Sequence, residues 1–397
     1  MSEFWRLAAI RRLENYGWML SYLKMLDQTN AKIIEGLARY DPRNLSSLAE
    51  KIGLPPTTVA FRLKKLTKDG FLGIGAKLDT PSLGLVKAVL VAEPNHGLAA
   101  KLREAIENVG YWSYIARCYG KFNGLYSIFS FPAKHKTALE DYLVQAKSLG
   151  VISNYRLFWT TNIFDVAPSF DQYDFKNKIW NLLWAEWVNE TLSAPQDFPQ
   201  HLRDPKSYEI KVDYRDLLIL KELEKDALAS FTDISKVVGI SPQAVRYRFQ
   251  QHITRRRLLA GYDMVIFPYP LETSELCAVV FDFPNETALA KFANSLLDKP
   301  FVLSYAKLVG ENSLLSHFYV PKSEFSRFID SLERLTMKEI IRNFFFVVLD
   351  AHTSKRQTVS YEYFHNGKWI CNKAEQIRKL ARMIPLQAEL RAGTPSR

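Results

Sequence analysis

Two short stretches of this chain set hydroxyl, amide and basic side chains on one face of an amphipathic helix. That is the equipment for hydrogen bonding to base edges and phosphates. In the first, Pro56 opens a helix whose apolar stripe is Val59, Leu63 and Leu66, leaving Thr57, Thr58, Phe61, Arg62, Lys64 and Lys65 outward. In the second, Ser241 and Pro242 are N-cap and first residue, and Val245 and Phe249 point inward. Gln243, Arg246, Tyr247 and Arg248 face outward there, with Arg255, Arg256 and Arg257 following. Gln243 suits an adenine edge and Arg246 a guanine edge, while the lysines and the arginine triplet suit phosphates. No Ser-His-Asp, paired-carboxylate, phosphate-loop or metal-ligand spacing occurs, and His96, His135, His252 and His365 read as isolated. No catalytic residue, metal site or cofactor is therefore assigned.

The elements that position these faces occur twice. LSSLAEKIGLPPTTVAFRL (45–63) answers FTDISKVVGISPQAVRYRF (231–249), with Gly53 on Gly239, Pro56 on Pro242, Val59 on Val245 and Arg62 on Arg248. Each copy predicts a helix (27–40, N-capped by Asp27; 213–225), a second helix (46–52; 232–238), a glycine turn and the outward-polar third helix. Helix, turn and helix is the device that lays a helix in the DNA major groove. On that basis Arg62→Ala and Arg248→Ala are each expected to weaken DNA binding without unfolding the chain. FLGIGAKLD, after the first copy, reads as a short hairpin wing; in the second copy one residue is inserted after Phe249. Each helical unit is followed by strand, helix, two strands, helix and strand, the ferredoxin-like βαββαβ order. The expected class is thus α+β, two winged helix-turn-helix domains alternating with two ferredoxin-like domains.

The segments are expected as a helical extension at 1–25, winged helix 1 at 26–80, sheet domain 1 at 81–165 and a Trp-rich linker at 166–208. Winged helix 2 follows at 209–270, sheet domain 2 at 271–352, and a hairpin and tail at 353–397, the hairpin turning at Asn366–Gly367. In the linker, Trp180, Trp184 and Trp187 fall on one face of an expected helix, which reads as packing against a sheet. A net charge of +11 favours a polyanionic partner. Cys118, Cys277 and Cys371 share no ligand or disulfide spacing, which fits a reducing cytoplasm. No run of eighteen apolar residues spans a membrane, and Glu3, Arg6, Arg11, Arg12 and Glu14 interrupt any signal-peptide core.

The first helical unit closely resembles the DNA-binding domain of the Lrp/AsnC family of prokaryotic transcription regulators. The likeness rests on Leu26–Asp27, Leu48–Ala49, the turn Gly53–Leu54–Pro55–Pro56, and Leu66 with Gly70. The βαββαβ unit resembles that family's regulatory (RAM) domain. The resemblance implies double-stranded DNA as partner and a dimer, here an intrachain pseudo-dimer with two non-identical reading heads, open to further homodimerisation. It also implies an effector site near the glycine-led loops, at Gly120 and Asn123 and at Gly310 and Ser313. Asn123 and Ser313 stand where the family often has an acidic residue, so an amino-acid effector does not follow. Pro55 replaces the usual N-cap Ser, and Arg257 stands at the position of Gly70. Two other readings remain open. One is an enzyme resembling the siroheme decarboxylases, with Arg117, Tyr119, Tyr126 and His317 near its tetrapyrrole. The other is a ligand-sensing, protein-interaction module that does not bind DNA.

Overall fold

The computed structural model describes residues 24–266 and 269–383. The expected N-terminal extension lies almost wholly, and the last dozen residues wholly, outside them. The first head begins at α1 (Gln28–Arg39), where the Asp27 carboxylate accepts the Asn30 N–H at 2.8 Å. Helix α2 (Leu45–Ile52) stops at Gly53, whose left-handed φ of 67° a side chain would strain. Helix α3 (Pro56–Lys68) then buries Val59, Leu63 and Leu66 against Ile33, Ile34, Leu37 and Leu48. Strand β1 (Gly73–Leu78) comes next.

The first ferredoxin-like unit is β2 (Leu85–Pro94), α4 (Ala99–Val109), β3 (Trp112–Gly120), β4 (Gly124–Pro132), α5 (Lys136–Ser148) and β5 (Ile152–Thr160). The connecting segment contributes β6 (Phe164–Asp165), β7 (Tyr173–Asp174), β8 (Ile179–Trp180) and α6 (Trp184–Ser193). The second head is α7 (Tyr214–Lys225), α8 (Phe231–Val238), α9 (Pro242–Arg248) and β9 (Leu259–Val265). Its sheet unit is β10 (Ser274–Asp282), α10 (Glu286–Ser295), β11 (Val302–Lys307), β12 (Ser313–Pro321), α11 (Phe325–Met337) and β13 (Asn343–Arg356). A small hairpin, β14 (Phe364–His365) and β15 (Lys368–Trp369), turns through Asn366 and Gly367, both at positive φ, before α12 (Lys373–Arg382).

The two βαββαβ units merge into one nine-stranded sheet of order β5-β2-β4-β3-β13-β10-β12-β11-β6. The seam is β3 against β13, where Leu349 faces Cys118. The sheet curls until its far ends meet at an isolated bridge, Thr160 to Leu308. Its inner faces pack Val89, Val91 and Tyr126 with Ala278, Val280 and Leu315. Helices α4 and α5 cover one outer half, and α6, α10 and α11 the other.

Two expectations are corrected. The residues read as a hairpin wing do not fold on themselves. Strand β1 pairs antiparallel with β9 of the other copy, Gly73 facing Val265 and Ala76 facing Tyr262. Gly75 allows this ribbon to lie on α7, since a Cβ there would sit 2.6 Å from the Glu224 carbonyl oxygen. Second, Trp180 is not on a helix with Trp184 and Trp187. It lies in β8 beside Phe170, Tyr173 and Tyr269, whereas Trp184 and Trp187 open α6 and pack on Phe301 and on the helices beyond it. At the residue inserted after Phe249, the chain leaves α9 through a turn of π-helix, Phe249–Thr254. A wider turn is how a helix absorbs one inserted residue without rotating the residues beyond it.

Past that turn, Arg257 keeps the left-handed backbone of its counterpart, φ 55° against 69° at Gly70. A side chain in this region costs on the order of 1 kcal/mol. Arg257→Gly is therefore expected to raise stability by about 1 kcal/mol, seen as a higher urea midpoint. An unchanged or lower midpoint would show that the arginine makes a compensating contact.

Candidate nucleic-acid interface and the cavity beneath it

The two third helices present the intended faces, with one exception in each. Thr57, Lys64 and Lys65 are exposed, Thr58 is half-buried, and Phe61 is 70% exposed. Neither lysine side chain has an ion pair among the described residues. In α9, Gln243 and Arg246 are exposed and Tyr247 is 60% exposed. Arg246 leans over the Phe231 ring at 5.8 Å. Arg255, Arg256 and Arg257 lie at the surface beyond, with Arg256 holding the Lys211 carbonyl oxygen at 2.9 Å.

The exceptions are Arg62 and Arg248, which turn inward. Arg62 Nη1 donates to Asp27 Oδ2 at 2.6 Å and Asn30 Oδ1 at 3.1 Å, tying α3 to the N-cap of α1. Arg248 Nη1 donates to Asp213 Oδ2 at 2.7 Å and Asp216 Oδ1 at 2.8 Å, tying α9 to the capping box of α7. Those pairs hold Asp213 below the usual carboxylate range and raise Arg248, against the opposing cost of burial, which is the largest influence on each. His252 is not isolated either: Asp213, Asp216 and His252 come within 4.8 Å of one another, around the Arg248 guanidinium. Both arginines thus serve as scaffold, and the expectation that they face the groove is withdrawn. Their agreement between otherwise divergent outer faces was the sign of this in the sequence.

The two heads form one block. Beyond the β1–β9 ribbon, Arg43 of the first head donates to the carbonyl oxygens of Ala227 and Ala229 and lies over the rings of Phe231 and Phe249. The guanidinium stacks and hydrogen-bonds together, fixing the angle between heads more firmly than either contact alone.

The glycine-led loops are engaged by carboxylates of the same chain. Asn123 N–H donates to Glu93 Oε1 at 2.9 Å, and Gly120 N–H lies 3.4 Å from Asn123 Oδ1. In the second loop Ser313 Oγ donates to Asp282 at 2.9 Å, while Gly310 N–H and Lys307 Nζ both hold Asp204 from the connecting segment. Tyr126 and His317 meet, hydroxyl to Nε2 at 2.7 Å, and Ser304 occupies the other ring nitrogen at 2.9 Å. Burial lowers His317 to about 4, so the ring is neutral near pH 7. Arg117 and Tyr119 are exposed on β3, away from that pair.

Between the head block and the sheet lies a cavity of about 1100 Å³, which the sequence did not announce. Its roof is the β1–β9 ribbon with Glu224 of α7, and its floor includes Trp112, Tyr114 and His317. Charged side chains cross the gap. Lys77 of the ribbon pairs with Asp165 of β6, and Arg356 of β13 stands 3.9 Å from Asp263 of β9. Lys87 of β2 donates to Ser130 at 2.8 Å and feels Glu224, whose Oε2 takes the Val359 N–H at 2.7 Å. Burial pushes the Glu224 and Asp263 carboxyls up and Lys87 down. His201 stacks on Phe164 at 3.9 Å and is lowered to about 4, chiefly by burial and then by Lys77.

Two helix-turn-helix units joined by the β1–β9 ribbon and carried by one nine-stranded sheet define a tandem winged-helix protein. A winged helix-turn-helix DNA-binding model matches residues 26–72, and an AsnC-type helix-turn-helix model matches residues 213–251. The HTH-type transcriptional regulator LrpA of Pyrococcus abyssi is 32% identical over 113 residues, which span 28% of this chain and 79% of LrpA. LrpA of Pyrococcus horikoshii is 31% identical over the same shares. The chain belongs to the Lrp/AsnC family of helix-turn-helix transcriptional regulators. Over 88% of its length the chain is also similar in fold to the siroheme decarboxylase NirDL, at 13% identity and a TM-score of 0.53, covering 97% of that chain. No helix among the described residues is long and apolar enough to cross a membrane.

Proposed function

We propose that this protein is a sequence-specific regulator that binds double-stranded DNA through two non-identical reading heads held in one block. The observation that carries this is the pair of exposed polar and basic helix faces, α3 and α9, on heads joined by a shared ribbon. Scaffold positions agree between the copies, whereas Thr57, Thr58 and Ala60 stand opposite Gln243, Ala244 and Arg246. Two unlike faces favour an asymmetric site over a palindrome, with half-sites about 34 Å apart or a multiple of that. Arg246 and Gln243 supply base readout in one half-site, and Thr57 and Thr58 in the other; the lysines and Arg255 hold phosphates.

Selection from a random duplex pool, followed by gel-shift titration in rising salt, tests the reading. The expected result is a non-palindromic consensus, with log K falling by about 0.9 per phosphate contacted as log salt rises. A palindromic consensus would refute unlike heads. Failure to enrich any duplex would refute the DNA function.

A second reading is favoured by the cavity together with the likeness in fold to NirDL over 88% of the chain. In that reading the cavity takes a tetrapyrrole, with His317 and His201 as neutral imidazoles at its wall. Siroheme mixed with the purified chain would then give a shifted Soret band and lose carboxylates. An unshifted spectrum disposes of it.

A further inference from the structure

We infer that the cavity between the head block and the sheet is a regulatory site for a ring-bearing organic anion, whose entry loosens the heads from their platform. The inference rests on the DNA-binding reading for its consequence, though not for the site itself.

Lys77–Asp165 and, at 3.9 Å, Arg356–Asp263 each join a head residue to a sheet or connecting residue across the same gap, and Lys87 of the sheet feels the charge of Glu224 in the head. The cavity touches all six side chains. The electrostatic ties between heads and sheet therefore double as the walls of a chamber large enough for a sizeable ligand. A purely apolar molecule would strip water from those pairs and give nothing back. A molecule carrying an anionic group can replace a wall carboxylate as partner to a lysine or to Arg356.

The sign of the ligand is set by the same residues. The Arg356 guanidinium offers a planar fork of donors that suits a carboxylate or sulfonate. Burial already biases the Glu224 and Asp263 carboxyls towards their neutral forms, so an incoming anion can displace them cheaply. The wall also includes Arg203 and Lys206, both exposed, and neither has an ion pair among the described residues. They mark a cationic entrance. Trp112, Tyr114 and Phe164 supply flat faces for a ring system.

Displacing Asp263 or Glu224 frees the β1–β9 ribbon and α7 together, because both belong to the head block. The heads then respond as one unit, and the ligand couples to DNA affinity through their position on the platform.

The experiment uses the full chain and two dyes of similar shape, anionic 1-anilinonaphthalene-8-sulfonate and uncharged N-phenyl-1-naphthylamine. The sulfonate should bind saturably, brighten and raise the melting temperature, which distinguishes native binding from capture by unfolded chain. The neutral dye should bind about tenfold more weakly or worse. Lys87→Met should weaken the sulfonate by about tenfold. Arg203→Glu with Lys206→Glu, surface changes that leave the core intact, should do likewise and guard against misfolding of the first variant. Saturating sulfonate should shift affinity for the selected duplex by about fivefold or more. Equal binding of both dyes, or of native and variant chains, overturns the site. Dye binding with unchanged duplex affinity overturns the coupling. Saturable, charge-dependent dye binding by a chain that enriches no duplex supports the site and removes the DNA reading alone.

Discussion

Arg248→Ala is expected to destabilise the protein by about 3 kcal/mol or more, whereas Arg62→Ala costs about 1 kcal/mol or less. The two arginines occupy equivalent places, and their partners decide the difference. Asp216 is wholly buried in the capping box of α7, and Arg248 is the cation nearest its Oδ1 at 2.8 Å. Truncation leaves a buried carboxylate with the Asp213 N–H at 3.3 Å and the half-buried His252 at 3.2 Å but without its guanidinium. A buried carboxylate stripped of its charged partner draws on folding free energy. Arg62 instead pairs with an Asp27 side chain that is 44% exposed, and water can replace it. Urea unfolding of both variants measures the contrast, and Arg248→Lys should recover part of the loss by keeping charge without the fork. Equal small effects would mean the buried pair is worth no more than a surface one. If Arg248→Ala stays folded in the cold, its affinity for DNA should be close to that of the unmodified chain, which separates a scaffold role from a reading role.

Lys64→Glu with Lys65→Glu is expected to weaken duplex binding by about 100-fold near physiological salt, and to lower the salt slope by about two. Both side chains are exposed and without ion pairs among the described residues, so neither supports the fold. The melting temperature should stay within a degree or two of the parent's, since exposed changes away from structural contacts cost about 0.5 kcal/mol or less. The helix also carries Phe61, whose exposed ring could meet a thymine methyl or simply be solvated; Phe61→Ala separates these by its effect on sequence preference. A loss below about threefold for the double reversal would remove α3 from the interface. Gln243→Ala and Arg246→Ala should change preference in the opposite half-site only, because they belong to the other head.

Much of this molecule is written locally. Asp27, Ser241, Gly53 and Gly239 act within a few residues of where they stand, by accepting an N–H or adopting a left-handed backbone. The apolar stripes of α3 and α9 and the alternation of the strands likewise depend on short periods. For that reason the helix-turn-helix pair, the doubled βαββαβ order and the basic outer faces could be read from the chain. Arg62 and Arg248 could not be placed by period, since each stands one turn beyond a buried valine, on the border between stripe and surface. Only the acidic N-cap of a helix 35 residues earlier turns them inward. The partner of β1 could not be read either, because a six-residue strand pairs equally well with any edge, and its true edge lies some 190 residues away. The cavity gathers Lys77, Lys87, Asp165, Glu224, Asp263 and Arg356 from six separate segments. No spacing links them, since chain closure over such distances leaves no local trace. Sequence established what kind of heads and platform these are; packing of one copy against the other established how the heads are joined and what lies beneath them.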